Sequence, residues 1–246
     1  MIQRGFQNKG AQTFCPFDGG LLIDKPVGPT SHDVVARIRR QFGIKKVGHC
    51  GSLDPNATGL MLILLGKGTK LSEKLMNHDK VYSGKMKLGV NTSTYDAVGE
   101  ITSSSEVPEL GLETLNNLAS EFLGDQMQLP PMVSAVKQNG VRLYKLARKG
   151  VEVERKERFI HIYSYTFSEY TNHLATFRVA CTKGTYIRTL AYDLGVKLGC
   201  GAHLHELRRE GIGDHRLKEA LNYDHLKDLT SKDLEAKVIP FLKLAE

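Results

Sequence analysis

The sequence predicts an α+β fold, and three patterns carry that prediction. Along residues 80–90, Tyr82, Gly84, Met86, Leu88 and Val90 share one face while Ser83, Lys85 and Lys87 share the other, the period-two alternation of a half-buried strand. Val34, Val35, Ile38 and Phe42, and again Leu112, Leu115, Leu118 and Phe122, recur at helical spacing and mark amphipathic helices. Residues 159–167 and 174–182 read as a pair of antiparallel strands. Helices and strands thus mix along one chain of 246 residues with 41% apolar content, enough to bury one full core.

Taken in order, residues 1–18 are polar and non-periodic and read as a loose leader. Residues 21–24 make a short strand and residues 25–29 a turn. Thr30 and Asp33 then form a capping-box-like start to the first helix, which Gly43 ends. The second helix is stopped at Gly124. Residues 130–150 contain Pro130, Pro131, Gly140 and many basic side chains around a short helical pattern over 141–147, and read as an inserted arm. After the strand pair, Gly184 opens a helix with Ile187, Leu190, Ala191, Leu194 and Leu198 on one stripe. Residues 217–244 are expected to form one or two short helices packed on the main domain.

Composition narrows the class of function. The longest uninterrupted apolar run, residues 60–65, is far below the roughly 18–20 residues needed to span a bilayer, and the N-terminus has no signal-like apolar core. No membrane partner is expected, and the expected location is the cytoplasm. Four cysteines, Cys15, Cys50, Cys181 and Cys200, are widely spaced without C-x-x-C, so neither a disulfide framework nor a zinc knuckle is indicated. An excess of 34 Lys and Arg over 27 Asp and Glu, net +7, suits an anionic partner, with nucleic acid foremost. Basic clusters recur at Arg37, Arg39, Arg40, Lys45 and Lys46, at Lys137, Arg142, Lys145, Arg148 and Lys149, and at Arg208 and Arg209.

The segment most suggestive of chemistry is residues 48–60, Gly-His-Cys-Gly-Ser-Leu-Asp-Pro-Asn-Ala-Thr-Gly-Leu. Pro55 fixes its own φ and pushes Asp54 toward extended backbone, while Gly51 and Gly59 permit sharp turns on either side. Locally the same residues also make an ordinary type I turn with an Asp cap. Other signals are weaker. Cys200, His203, His205 and Glu206 have metal-capable side chains, but a strand-like H-x-H is more often incidental. Gly66-Lys67-Gly68-Thr69 lacks the earlier glycine of a phosphate loop.

Five segments, residues 48–60, 80–88, 129–150, 184–195 and 202–213, resemble in order and spacing the bacterial TruB family of tRNA pseudouridine synthases. The resemblance runs from about residue 20 to residue 213. It implies the pseudouridine synthase fold, a mixed, largely antiparallel central sheet flanked by helices, spanning residues 19–213 with residues 130–150 as a thumb-like RNA-gripping insertion. It implies Asp54 as the catalytic aspartate, Tyr82 of Lys80-Val-Tyr82 as the tyrosine stacked on the target base, and Arg188 of Gly184-Thr-Tyr-Ile-Arg188 as the arginine paired with the aspartate. His49 matches the histidine that helps displace the target nucleotide. Lys80, Tyr186 and the insertion residues Lys137, Arg142, Lys145 and Arg148 are the expected RNA contacts. Residues 214–246 are shorter than the roughly 40 residues at which a unit begins to fold alone, so they are expected to be a short helical extension without a full PUA domain.

The implied reaction is isomerisation of uridine-55 in the T loop of tRNA to pseudouridine, with no cofactor and no metal. The glycosidic bond breaks, the uracil turns, and it rejoins through carbon, so one nucleophilic or charge-stabilising carboxylate suffices. A guanidinium partner keeps such a carboxylate ionised and fixes its direction. An everted uracil needs a platform, and an aromatic ring supplies one. The implied partner is the tRNA T-arm; no protein partner is implied. Two rival readings are a non-catalytic RNA-binding protein on the same scaffold and a synthase that uses a guide RNA.

Overall fold

A computed structural model describes residues 15–134, 137–138, 141–142 and 153–246. The chain enters at β1 (Gly19–Lys25) and turns into α1 (Ser31–Phe42). This helix starts on a complete capping box: the Thr30 hydroxyl accepts from the Asp33 N–H at 3.1 Å, and the Asp33 carboxylate accepts from the Thr30 N–H at 2.8 Å. Gly43 ends it at φ 64°, the left-handed cap glycine adopts without penalty. β2 (Val47–His49) and β3 (Thr58–Leu65) flank the Asp54 loop. Next come α2 (Ser72–Met76), β4 (Lys80–Leu88), the hairpin of β5 (Val90–Thr92) and β6 (Ile101–Ser104), α3 (Leu112–Ser120) and β7 (Gly124–Gln128). Two short strands, β8 (Lys137–Gln138) and β9 (Val141–Arg142), pair with each other. β10 (Arg158–Thr171), β11 (Leu174–Cys181), α4 (Ile187–Lys197) and β12 (Ala202–Ile212) complete the main body. The last segment carries β13 (His215–Arg216), β14 (Leu221–Asn222), α5 (Ser231–Glu235), β15 (Ile239–Pro240) and α6 (Phe241–Ala245).

One sheet organises all of this, in the order β14-β1-β3-β12-β4-β11-β10-β7, with β2, β13 and β15 added beside β3, β12 and β1. Most pairs are antiparallel; β3 with β12 and β1 with β14 are parallel. β12 therefore sits in the middle, between β3 and β4, which are consecutive strands in sequence but not neighbours in the sheet. α3 and α4 cover one face, packing Leu115, Ala119, Leu190 and Leu194 against Met86, Ile160, Phe177 and Val179. α1 packs Val34, Val35 and Ile38 on Leu21, Ile23, Met61 and Ile63. The opposite face of β3 puts Leu60, Leu62 and Leu64 with Leu22, Leu75 and Leu244. Both faces of β3 are thus buried, which is why its sequence is a continuous apolar run with no alternation. Tyr82 packs against both larger clusters.

Several expectations are corrected. Asp18, assigned to the loose leader, is held: its carboxylate accepts from the Lys67 N–H at 2.7 Å and pairs with the Lys67 ammonium at 3.4 Å, while its carbonyl accepts from the Phe241 N–H at 3.1 Å. Gly124 does not end α3. The helix stops at Ser120, and Gly124, at φ 87°, opens β7 instead. Gly184 likewise precedes α4 by three residues, with Tyr186 as its N-cap. Val141 and Arg142, placed in a helical pattern, lie in a strand. The final segment includes short helices packed on the main domain, but it also adds β14 and β15 to the edges of β1; two-residue strands are too short to show periodicity.

Two close approaches hold the Asp54 loop to the sheet. Gly59 sits at φ 104°, and a Cβ there would lie 2.4 Å from the Arg209 carbonyl oxygen, so β3 and β12 meet only because this position has no side chain. Lys25 is wholly buried at the end of β1, and its ammonium donates to the carbonyls of Pro26 at 2.8 Å and Pro55 at 3.3 Å. Burial pushes the Lys25 pKa down to about 8, with the attraction of Asp54 opposing and the repulsion of Arg209 adding to the shift.

Gly59→Ala should lower unfolding free energy by about 2–5 kcal/mol, the sum of left-handed strain and overpacking; a denaturation midpoint equal to wild type would contradict this contact. Lys25 carries a pH signature. An unfolded lysine keeps its proton to about pH 10.4, so between about pH 8 and that value the unfolded chain binds more protons than the folded one and this residue makes stability rise with pH. Lys25→Met should remove that slope, read as the wild-type minus variant unfolding free energy across the window. A difference that stays flat would show that the ammonium keeps its proton in the fold.

Candidate active site

Asp54 lies in the loop between β2 and β3, and Arg188 lies in the first turn of α4. The two meet at 3.2 Å, Arg188 Nε to Asp54 Oδ2. Their exposures differ in a way that matters: the Arg188 side chain is 7% exposed and that of Asp54 46%. The carboxylate is therefore open to a substrate while its partner is fixed in the protein. Arg188 is held by every other edge of its guanidinium. Nη1 donates to the Thr94 carbonyl at 3.2 Å and pairs with Asp96 Oδ2 at 3.6 Å, and Nη2 donates to the Val133 carbonyl at 2.8 Å. A planar fork with several donors can do this, and a lysine ammonium cannot.

Asp96 is itself built in. It is 4% exposed, and its Oδ1 accepts from the Thr94 hydroxyl at 2.5 Å and the Val98 N–H at 3.2 Å. The turn carrying it is clamped to β12, where the Ala97 N–H donates to the Leu204 carbonyl and the Leu204 N–H to the Tyr95 carbonyl, both at 3.0 Å. Tyr95 adopts φ 62° and stacks on Tyr192 of α4 at 4.2 Å. A left-handed tyrosine is strained; here the stack and the clamp hold it. The start of α4 is anchored by Gln128, whose amide accepts from the Tyr186 N–H at 2.8 Å and donates to the Tyr186 carbonyl at 3.1 Å.

Beneath the loop lies Arg209, 1% exposed. Its guanidinium donates to the carbonyls of Leu60 at 2.7 Å, Ser52 at 3.3 Å and Gly51 at 3.2 Å. Among the described residues no carboxylate pairs with it. Tyr82, half-buried on β4, lies beside it: burial pushes the Tyr82 hydroxyl pKa up, the Arg209 guanidinium opposes that, and the Asp54 charge adds to it.

The cleft at this place is narrow and lined by Asp54, Asn56, Ala57, Asp96, Arg188, Leu204, His205, Glu206 and Leu207. A larger cavity of about 550 Å³ opens elsewhere, between β1, α2 and the final segment; none of the catalytic candidates lines it. Of the residues singled out in the sequence, Asp54 and Arg188 meet in the cleft; Tyr82 is not among the lining residues and packs between the two larger core clusters, where the Asp54 charge still bears on its hydroxyl. His49 ends β2 half-buried, and Tyr186 caps α4. Lys80 departs from its expected RNA contact. It is 6% exposed, and its ammonium donates to the carbonyls of Met76, at 2.8 Å, and His78, closing the end of α2; burial pushes its pKa down to about 8. Lys137 and Arg142 are opposite each other in the backbone register of β8 and β9, and Lys145 and Arg148 lie outside the described residues.

Sequence reading missed Lys25, Asp96 and Arg209. Asp96 sits in a run of small polar residues that reads as a turn, and only the fold shows its carboxylate to be buried. Arg209 was counted in a basic surface cluster. The available signal was its period-two spacing from Leu207, which puts both residues on one face of the strand.

Comparison with known proteins identifies the family. Residues 39–187 match the family model of the TruB family pseudouridylate synthase (N terminal domain), and residues 188–243 match that of the tRNA pseudouridylate synthase B C-terminal domain. The chain is 48% identical over 228 residues to tRNA pseudouridine synthase B of Opitutus terrae, covering 93% of this chain and 95% of that one. It is 46% identical to the protein of the same name from Dechloromonas aromatica, covering 91% and 74%. Among solved structures it resembles a chain of a Cbf5-Nop10-Gar1 complex, with TM-score 0.69 and 29% identity, over 93% of this chain and 62% of that one. By these matches and by its fold, the chain belongs to the TruB family of pseudouridylate synthases.

Proposed function

We propose that this protein isomerises uridine to pseudouridine in tRNA, at uridine-55 of the T loop, with Asp54 as the catalytic carboxylate. The observation that carries the reading is the 3.2 Å contact between a half-open Asp54 and a buried, fully engaged Arg188. Membership of the TruB family and the name tRNA pseudouridine synthase B borne by its relatives support the substrate. A net charge of +7 suits an RNA partner.

The chemistry needs few groups. The bond between ribose C1′ and uracil N1 breaks, a bond from C1′ to C5 forms, C5 loses its proton and N1 ends protonated. Atoms balance without oxidant or co-substrate. The carboxylate stabilises or captures the sugar carbon while that bond is broken. Arg188 aims the carboxylate, and because Asp96, Thr94 and Val133 hold the guanidinium, little reorganisation is needed at the moment of reaction. Tyr82 offers its ring to the everted base, with its hydroxyl anchored beside Arg209.

Incubating the protein with an unmodified tRNA transcript and mapping pseudouridine tests the reading. Wild type should convert uridine-55. Asp54→Asn should give no product while RNA affinity stays within about tenfold, since phosphate contacts dominate binding. Turnover by Asp54→Asn at the wild-type rate would remove Asp54 from the chemistry.

A further inference from the structure

β12 pairs with β4 through Leu204 opposite Met86 and Glu206 opposite Lys85, leaving His205 as the extra residue of a bulge. A bulge at a site margin re-aims the side chain it carries. Here it turns the exposed His205 onto the wall of the Asp54 cleft, alongside Asn56. Neither the Asn56 amide nor the His205 ring nitrogens has a hydrogen-bond partner among the described residues. Both groups are nonetheless held. Asn56 follows Pro55, whose carbonyl accepts from the Lys25 ammonium at 3.3 Å and the Gly28 N–H at 2.9 Å. The His205 ring lies edge-on to that of His203 at 6.4 Å, and His203 Nδ1 is 2.9 Å from the Val90 carbonyl oxygen. An amide and an imidazole that line the cleft without a protein partner are both able to donate to and accept from a ligand seated there.

The cleft's charge selects the ligand. Asp54, Asp96 and Arg188 line it together with Glu206, which is itself paired with the Lys85 ammonium at 3.7 Å; the Arg188 donors are already engaged. A phosphodiester would meet net repulsion there. A neutral group that both donates and accepts would not, and an amide with an imidazole suits it. The ribose carbon that carries the glycosidic bond must come to Asp54, and its neighbour carries the 2′-hydroxyl. We propose that Asn56 and His205 form a specificity pair that hydrogen-bonds the 2′-hydroxyl of the target nucleotide, so that the enzyme distinguishes ribose from deoxyribose at that position. This rests on the proposed reaction for the identity of the nucleotide in the cleft.

The test is a binding ratio. Two T-stem-loop hairpins, identical except for uridine or 2′-deoxyuridine at the target position, are titrated against Asp54→Asn protein, which stops turnover. This parent should bind the ribose form about three- to tenfold more tightly, the range of one net hydrogen bond. Adding Asn56→Ala and His205→Ala together should bring the ratio to about one, whereas His205→Gln, which keeps a donor and an acceptor, should retain most of it. A parent ratio of one, or a ratio unchanged in the double-alanine protein, would overturn the proposal. Melting temperature should not move, since His205 lies outside the core; a loss of ratio explained by unfolding would lower affinity for both hairpins and count against the pair. Failure of wild type to make pseudouridine would overturn the reaction, and it is read in a separate assay from the ratio.

Discussion

The arrangement rests on one buried cation. Arg209 stands in the middle of the central strand, inside the sheet, and it spends its guanidinium on three backbone carbonyls, those of Gly51, Ser52 and Leu60. A guanidinium removed from water is costly unless its donors are satisfied. The loop before β3 therefore cannot drift off Arg209 without leaving buried guanidinium donors unsatisfied. Gly59 makes the approach sterically possible, and Lys25 ties the far side of the loop through the Pro55 carbonyl. The positive potential of these groups lies under Asp54. A loop that Pro55 already stiffens is thus fastened to the fold at both ends.

The other half of the site is fastened by different means and from distant parts of the chain. Arg188 belongs to α4, Asp96 and Thr94 to the β5–β6 hairpin, and Val133 to the stretch after β7. These are brought together because β12 lies between β3 and β4 in the sheet, so one strand contacts the Asp54 loop through Arg209 and the Asp96 turn through Leu204. Moving either half by about an ångström would misalign the carboxylate, and misplacements of that size can cost on the order of a hundredfold in rate.

Much of this was legible in the residues, for identifiable reasons. The Thr30–Asp33 capping box and the Gly43 stop are local chemistry, and α1 obeys them. The alternation through Tyr82, Met86 and Leu88 reflects a strand with one core-facing side, which β4 is. The resemblance of separated segments pointed to the pairing of Asp54 with Arg188, which the fold brings about. What failed was non-local. Gly124 is a turn glycine in either reading, and only the β7–β10 pairing decides that it starts a strand. Lys80 and Arg209 look like surface cations until tertiary packing buries them against backbone carbonyls. The bulge at His205 depends on the register of β12 with β4, which no single-strand pattern records.

Arg209 thus positions the catalytic loop. The most direct measurement is the single-turnover rate of pseudouridine formation by a folded Arg209→Lys protein at saturating RNA. Lysine keeps the charge but reaches fewer carbonyls than the guanidinium fork does. A fall of about a hundredfold in rate is expected, with RNA affinity close to wild type because Arg209 is 1% exposed. A rate within about twofold of wild type, in a protein shown to be folded, would contradict it.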